Sequence, residues 1–265
     1  MQKIILISNR LPITIERSNK DFVFTPSVGG LATGLSSVSQ KYNCVWLGYP
    51  GILSNDLSDI DKRIITDKLN NDFKSYPIFL DHNEFKNYYN GFSNKTIWPL
   101  FHYFQYYTNF DYTTWDYYQL VNKKFFEELI KVVNHNDIVW IHDYQLMLLP
   151  KMIKDRFPSV RVGFFLHIPF PSFEIFRLLP WDKQILEGIL GADLVGFHTF
   201  SYVRHFLSSV RRILGYENTF SQIITENRTI KVDAIPMGID YNKFAGSTND
   251  SKVKKEIKLI QNGLN

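Results

Sequence analysis

The 265 residues are 45% apolar, 16% aromatic and 21% charged, which supplies a large buried core and excludes disordered and collagen-like chains. With Cys44 as the sole cysteine, an internal disulfide and a cysteine-rich zinc site are excluded, and the chain reads as one from a reducing compartment. A net charge of +4 is too mild to argue for nucleic acid and suits small phosphorylated ligands.

The length lies near the upper limit of a single core, and one large α/β unit is expected. Apolar runs such as Ile4 to Ile7 fall far short of the roughly 20 residues that a spanning helix needs. Residues Met1 to Lys3 lead into no secretory signal, so a cytoplasmic protein without membrane contact is expected.

Short apolar runs of strand length alternate with longer stretches of helical period, the pattern of βα units around a parallel sheet. Strands are expected at about 3–8, 44–48, 76–80, 137–141, 161–166, 193–197 and 230–235. Helices are expected at about 30–41, 56–70, 82–89, 115–133, 145–156, 173–190 and 199–214. Runs such as Ile138-Val139-Trp140-Ile141 are apolar without alternation, as in strands covered by helices on both faces. The expected fold is therefore α/β, a Rossmann-like, doubly wound and mostly parallel sheet. Near the end, Val253, Ile257, Ile260 and Leu264 share one helix face. The intervening Lys252, Lys254, Lys255 and Lys258 read as its solvated side in preference to a phosphate-binding tail.

Ligands of open α/β sheets bind beyond the carboxyl ends of the strands, so the polar residues that follow each strand are the candidates. These are Ser8-Asn9-Arg10, His142-Asp143-Tyr144, His167 and His198-Thr199. Singly, Asp143 reads as a helix N-cap and His142 or His167 as a satisfied buried imidazole; together they form a site-like constellation. Gly29-Gly30 precedes the apolar helix that opens at Leu31. A phosphate contact through backbone amides and an ordinary tight turn are both open there.

Asp59-Ile60-Asp61 spells the Asp-x-Asp pattern of metal-dependent sugar transferases, but it lies in a charged helical stretch, and the solvated-face reading is preferred. The rings of Trp98, Phe101, Tyr103, Tyr106 and Tyr107 could stack on sugar; core packing is expected for most of them.

The motifs Ser8-Asn9-Arg10-Leu11-Pro12, Gly29-Gly30-Leu31, Trp46-Leu47-Gly48, Tyr88-Tyr89-Asn90-Gly91-Phe92-Ser93-Asn94 leading to Trp98-Pro99, Val139-Trp140-Ile141-His142-Asp143-Tyr144, and Gly163 through His167-Ile168-Pro169-Phe170-Pro171 follow one another in that order. In this order they resemble the N-terminal half of the trehalose-6-phosphate synthase family, from Lys3 to about Phe244. The resemblance implies the N-terminal half of a GT-B fold, with an acceptor-binding domain over 1–245 and a linker and helix over 246–265. A second, donor-binding domain of the family is not in this sequence. The implied activity is retaining transfer of glucose from UDP-glucose to glucose 6-phosphate, giving α,α-trehalose 6-phosphate and UDP.

Position by position, the resemblance implies that Arg10 contacts the acceptor phosphate and that Tyr89 and Asp143 hold the acceptor sugar. It assigns Gly29 and Gly30 to UDP-glucose, and His167 to the donor glucose near the reacting centre, with His167 and Asp143 as the catalytic pair. Trp98 and Ile168 would wall the acceptor pocket and favour the α anomer. No metal and no cofactor is implied. The partners implied are UDP-glucose and glucose 6-phosphate, with neither nucleic acid nor membrane, and a homo-oligomer or a trehalose synthase complex is left open. Tyr49 departs from a tryptophan common in the family and keeps the aromatic wall. A non-catalytic sugar-phosphate-binding or regulatory module is the alternative reading.

Overall fold

The computed structural model describes residues 2–18, 21–27, 29–239 and 241–263. Its strands are β1 (Ile4–Arg10), β2 (Ile13–Ser18), β3 (Asp21–Pro26), β4 (Cys44–Tyr49), β5 (Ser75–Pro77) and β6 (Ile138–His142), then β7 (Arg161–Leu166), β8 (Leu194–Phe197), β9 (Asn218–Thr219), β10 (Gln222–Ile224) and β11 (Thr229–Ala234). Nine of them form one sheet in the order β5-β4-β1-β6-β7-β8-β11-β10-β9, and β2 pairs with β3 in a separate hairpin. Pairing is parallel from β5 through β11 and antiparallel along β11-β10-β9. From β1 the chain winds outward to β4 and β5, then returns to the other side of β1 as β6. The winding therefore reverses between β1 and β6, the place where open α/β sheets leave a crevice.

Alternation along the strands divides the core in two. Ile5 and Ile7 of β1 join Val139, Ile141, Phe164, Leu166, Val195 and Phe197 in the larger core. The helices Tyr112–Leu129, Leu149–Arg156, Asp182–Ile189 and Phe200–Leu214 pack on that face through Tyr118, Phe125, Ile153, Ile185 and Phe206. Leu6 points the other way, with Cys44 and Trp46, against Ile65 and Leu69 of the helix Asp59–Phe73 and against Ile13 and Ile15 of the hairpin. A strand whose side chains alternate faces can feed both cores at once.

The helix starts follow local chemistry. Ser58 and Asp61 form a reciprocal capping box at the helix Asp59–Phe73, and Asp61 also pairs with Arg17 at 2.9 Å; of the two carboxylates only Asp59 is solvated as expected, while Asp61 is partly buried in a structural role. Asp111 accepts from the Thr113 amide at 2.8 Å, so the next long helix begins at Tyr112 and not at 115. Pro150 sits in the first turn of the helix Leu149–Arg156, and residues Tyr144–Leu146 before it form a separate 3-10 turn. The expected helix over 173–190 is two, Phe173–Phe176 and Asp182–Ile189, because Pro180 between them cannot donate to a helical ladder.

The helix expected at 82–89 runs on. After His82–Glu84 the chain continues as a wider π-helical coil over Phe85–Ile97 and tightens again over Trp98–Phe101. Its inward rings close the main core: Phe92 is fully buried, with ring centroids 4.5 Å from Tyr118, 5.1 Å from Trp115 and 5.3 Å from Trp181.

The terminal helix Ser251–Gly263 buries no residue: Val253 is half-buried and Ile257 and Ile260 are exposed. Its lysines are exposed as expected, and Leu264 lies outside the described residues. Among the described residues no helix is long and apolar enough to cross a membrane.

Phe92→Ala is expected to destabilise the fold by about 3–5 kcal/mol, read as a lower denaturation midpoint in urea. A change under about 1 kcal/mol would mean that the π-helical segment is not locked into the core.

Candidate active site

Arg10 owes its position to a break in register. β1 pairs with β4 regularly up to Ile7, then resumes only at Arg10 opposite Tyr49, leaving Ser8 and Asn9 out of step. The Ser8 hydroxyl accepts from the Trp46 indole at 2.7 Å and donates to the Arg10 carbonyl at 2.8 Å. The guanidinium then lies over Gly51, which has φ +89; a side-chain carbon at that glycine would stand 2.8 Å from Nη2 of Arg10. Glycine is needed at 51 for its left-handed backbone, and a side chain there would push the guanidinium from this place. The sequence signal was the Pro50-Gly51 pair, a turn marker.

Two clefts meet at this arginine. One, of about 340 Å³, is lined by Asn9, Arg10, Gly29, Gly30, His142 and Asp143 among others. The other, of about 390 Å³, is lined by Arg10, Tyr49, Gly51, Asp56, Phe85 and Tyr89 among others. In the second, Tyr49, Phe85 and Tyr89 form a row of rings with centroid spacings of 5.2 and 5.1 Å. Burial pushes the Tyr49 phenol up to about 12, against the opposing pull of Arg10. In the first cleft Gly29 and Gly30 are exposed, and no atom lies within 4 Å of where a side chain would begin. Their missing side chains therefore leave the cleft floor open to a ligand, ahead of the helix Gly30–Lys41. The Oδ1 of Asn9 is buried there without a partner among the described residues, an acceptor that a ligand donor would satisfy.

Asp143 follows β6 in a backbone conformation with φ 77 and ψ 171, a region that belongs almost entirely to glycine. It stands at the N-cap position of the turn after it, but its side chain makes no cap hydrogen bond; the bond to that turn is from the Leu146 amide to the Asp143 carbonyl at 3.2 Å. Its amide donates to the Phe165 carbonyl at 2.8 Å, and its Oδ1 accepts from the His167 amide at 3.1 Å. The turn is also held from below: Tyr118 Oη donates to the Tyr144 carbonyl at 2.7 Å and accepts from the Met147 amide at 3.1 Å, while Asn122 donates to the Gln145 carbonyl at 3.0 Å. Burial raises the Asp143 carboxyl to about 6, and the amides of His167, Tyr144 and Ile168 oppose that rise.

His167 is half-buried beside fully buried His142, whose Nδ1 lies 3.1 Å from Nε2 of His167. Burial and neighbouring His198 lower the His167 imidazole to about 4. Burial, then His167, holds His142 far below the ordinary histidine range. His142 is only half satisfied, since its Nε2 has no partner among the described residues.

The structure thus gathers Arg10 with Tyr89 on one side and with Gly29, Gly30 and Asp143 on the other. His167 touches this group through His142 and the Asp143 carboxylate. Trp98 and Ile168 line neither cleft: Trp98 packs on His102 at 4.2 Å, and Ile168 leans on the main core. Most of the singled-out rings are not core. Phe101 is fully buried, but Trp98, Tyr103, Tyr106 and Tyr107 are 41%, 46%, 93% and 74% exposed; Trp98 opens the short helix Trp98–Phe101, and the other three follow it in a loop and 3-10 turn at the surface.

A larger cleft of about 660 Å³ lies elsewhere, with Lys62, Lys124 and Lys131 on its wall. Each of these lysines is paired with a carboxylate, Asp59, Glu84 and Glu128 respectively. No cluster that could hold a metal ion occurs among the described residues.

This sheet and rim define a class, the N-terminal half of a GT-B glycosyltransferase. An α,α-trehalose-phosphate synthase (UDP-forming) from Burkholderia vietnamiensis superposes with a TM-score of 0.84 at 26% identity, over 100% of this chain and 54% of that one. The N-terminal domain of Candida albicans trehalose-6-phosphate phosphatase does so with a TM-score of 0.83 at 29% identity, over 99% and 54%. The chain belongs to glycosyltransferase family 20, whose model matches residues 2–265. The 56 kDa subunit of the UDP-forming α,α-trehalose-phosphate synthase of Saccharomyces cerevisiae is 42% identical over 97% of this chain and 53% of its own length. The chain spans about half the length of the curated relatives it matches.

A raised Asp143 carboxyl costs stability as pH climbs: its neutral form is at home in the fold below the unfolded value near 3.9, and the penalty grows up to the folded value of about 6. Asp143→Asn is therefore expected to gain on the order of 2 kcal/mol over the wild type at pH 8 and to lose that advantage at pH 4. Paired thermal melts at the two pH values check this; an offset that does not change with pH would contradict the burial argument.

Proposed function

We propose that this chain is the acceptor-binding half of a retaining transferase that moves glucose from UDP-glucose to glucose 6-phosphate, yielding α,α-trehalose 6-phosphate and UDP. The observation that carries the reading is the meeting of two clefts at Arg10, at the reversal of winding in a family 20 chain. Arg10 is exposed and fixed at its base, and its guanidinium fork matches a phosphate. Tyr89 and Asp143 hold the acceptor sugar, Asp143 as a carboxylate that accepts from hydroxyls. Gly29 and Gly30 admit UDP-glucose, and His167 hydrogen-bonds the donor glucose near the reacting carbon; Trp98 and Ile168, expected to favour the α anomer, line neither cleft and are given no contact with the acceptor here.

In this reading Asp143 and His167 act by positioning and by electrostatics. The leaving diphosphate takes the acceptor proton, so no second carboxylate is required. Residues 1–245 form the acceptor-binding domain and 246–265 a linker helix, and the donor diphosphate is neutralised by a second domain that is not among the 265 residues. UDP-glucose and glucose 6-phosphate are its small-molecule partners, in the cytoplasm and without nucleic acid or membrane. Assembly with like or unlike subunits is supported by the naming of the Saccharomyces cerevisiae relative as a subunit.

One observation favours a second reading, a module that senses sugar phosphate without transferring anything: the same fold serves as the N-terminal domain of a phosphatase. A coupled UDP-release assay tests the division of labour in the first reading. The 265-residue chain is expected to bind glucose 6-phosphate weakly and to release no UDP from UDP-glucose, whereas turnover like that of a full-length synthase would contradict the division of labour proposed here. By calorimetry, Arg10→Ala is expected to cost glucose 6-phosphate binding about 2 kcal/mol and glucose binding far less. Equal losses for both ligands would make Arg10 structural.

A further inference from the structure

His142, His167 and His198 stand side by side at the carboxyl ends of β6, β7 and β8. Ring centroids are 5.3 Å apart for the first pair and 5.5 Å for the second. His142 is wholly buried and packs at 4.7 Å on Trp140, two residues earlier on the same strand. Its Nδ1 is 3.1 Å from Nε2 of His167, and its own Nε2 is buried without a partner among the described residues.

A hydrogen bond between two neutral imidazoles needs one proton and one lone pair, so two arrangements exist. Burial keeps both rings in the neutral form. If His167 donates from Nε2, the proton of His142 must sit on its own Nε2, a buried donor facing no acceptor. If His142 donates from Nδ1, the group left over is only a lone pair. Buried orphan N–H groups are the rarer defect, and under-satisfied acceptors are better tolerated. The second arrangement is the favoured one.

We infer that His142 is a positioning residue that donates to Nε2 of His167 and locks His167 as its Nδ1-protonated tautomer. Nδ1–H is then the one ring group that His167 offers a ligand, and among the described residues it has no protein partner. A group of this kind recognises an oxygen acceptor, such as a sugar hydroxyl, and takes no proton through Nε2. The identity of that ligand rests on the role proposed above for His167; the tautomer does not.

Imidazole 15N spectra of the histidine-labelled 265-residue chain at neutral pH test the inference without any ligand. The expected result is a protonated Nδ1 and an unprotonated, hydrogen-bonded Nε2 on His167, with a protonated Nδ1 on His142. His142→Asn keeps an amide donor near the position of Nδ1 and is expected to preserve the His167 tautomer. His142→Leu removes the donor and is expected to release His167 into a mixture. A protonated Nε2 on His167 in the wild-type chain overturns the inference, as does a single unchanged tautomer in folded His142→Leu. Should the leucine variant not fold, the wild-type and asparagine spectra decide alone. Titration with UDP-glucose is a separate reading: no response at His167 counts against its place at the donor sugar and leaves the tautomer standing.

Discussion

Parallel pairing of β1 with β6 is the constraint from which the rest of the molecule is set. The register Ile4↔Ile138 through Ile7↔Ile141 joins the two directions of winding, and the crevice opens where those strands end. Asp143 lies two residues beyond this ladder and Arg10 three. The same register sends Ile5, Ile7, Val139 and Ile141 into the main core and leaves Leu6 and Trp140 to the opposite face. A slip of one residue would exchange the two cores and turn every rim side chain to the wrong side, so packing and site geometry are enforced together.

Strain is concentrated at one residue of that rim. The backbone of Asp143 costs about 1–3 kcal/mol relative to an ordinary conformation. It persists because the turn is tied to β7 through its amide and its carboxylate, and to the helix Tyr112–Leu129 through Tyr118 and Asn122. Both are buried in the helix, where Asn122 also donates to the Tyr118 carbonyl at 2.9 Å, and from there they reach the turn. The outcome is a carboxyl held in a fixed orientation in a partly dry place, which suits a group that must orient hydroxyls and not merely attract charge.

The rim was legible in the sequence because a strand end is a topological address: Arg10, His142, Asp143, His167 and His198 all follow apolar runs, and the structure sets them there. The parallel sheet was legible from the same runs. The hairpin of β2 and β3 was not, although Ile13, Ile15, Phe22 and Phe24 alternate; each strand rests one face on the smaller core and leaves the other to solvent, a weak signal beside the continuous runs. β9 and β10 are two and three residues long, too short for any period. Pro180 and Asp111 did carry the helix boundaries that were misplaced. The π-helical coil had no such marker, since its wider turn is selected by the packing of Phe92 and Tyr88 on the helix opposite and not by local preference. The exposed rings of Tyr106 and Tyr107 likewise cannot be told from core aromatics by composition.

The central claim is that a sugar phosphate binds where the two clefts meet at Arg10. Amide hydrogen exchange with and without saturating glucose 6-phosphate tests it most directly. The account requires slowed exchange at Asn9 and Arg10, at Gly51 and Ile52, at Phe85 and Tyr89 and across Asp143 and Tyr144. Protection confined to another surface, such as the groove lined by Arg204, Arg211 and Arg212, with those segments unchanged, would contradict it.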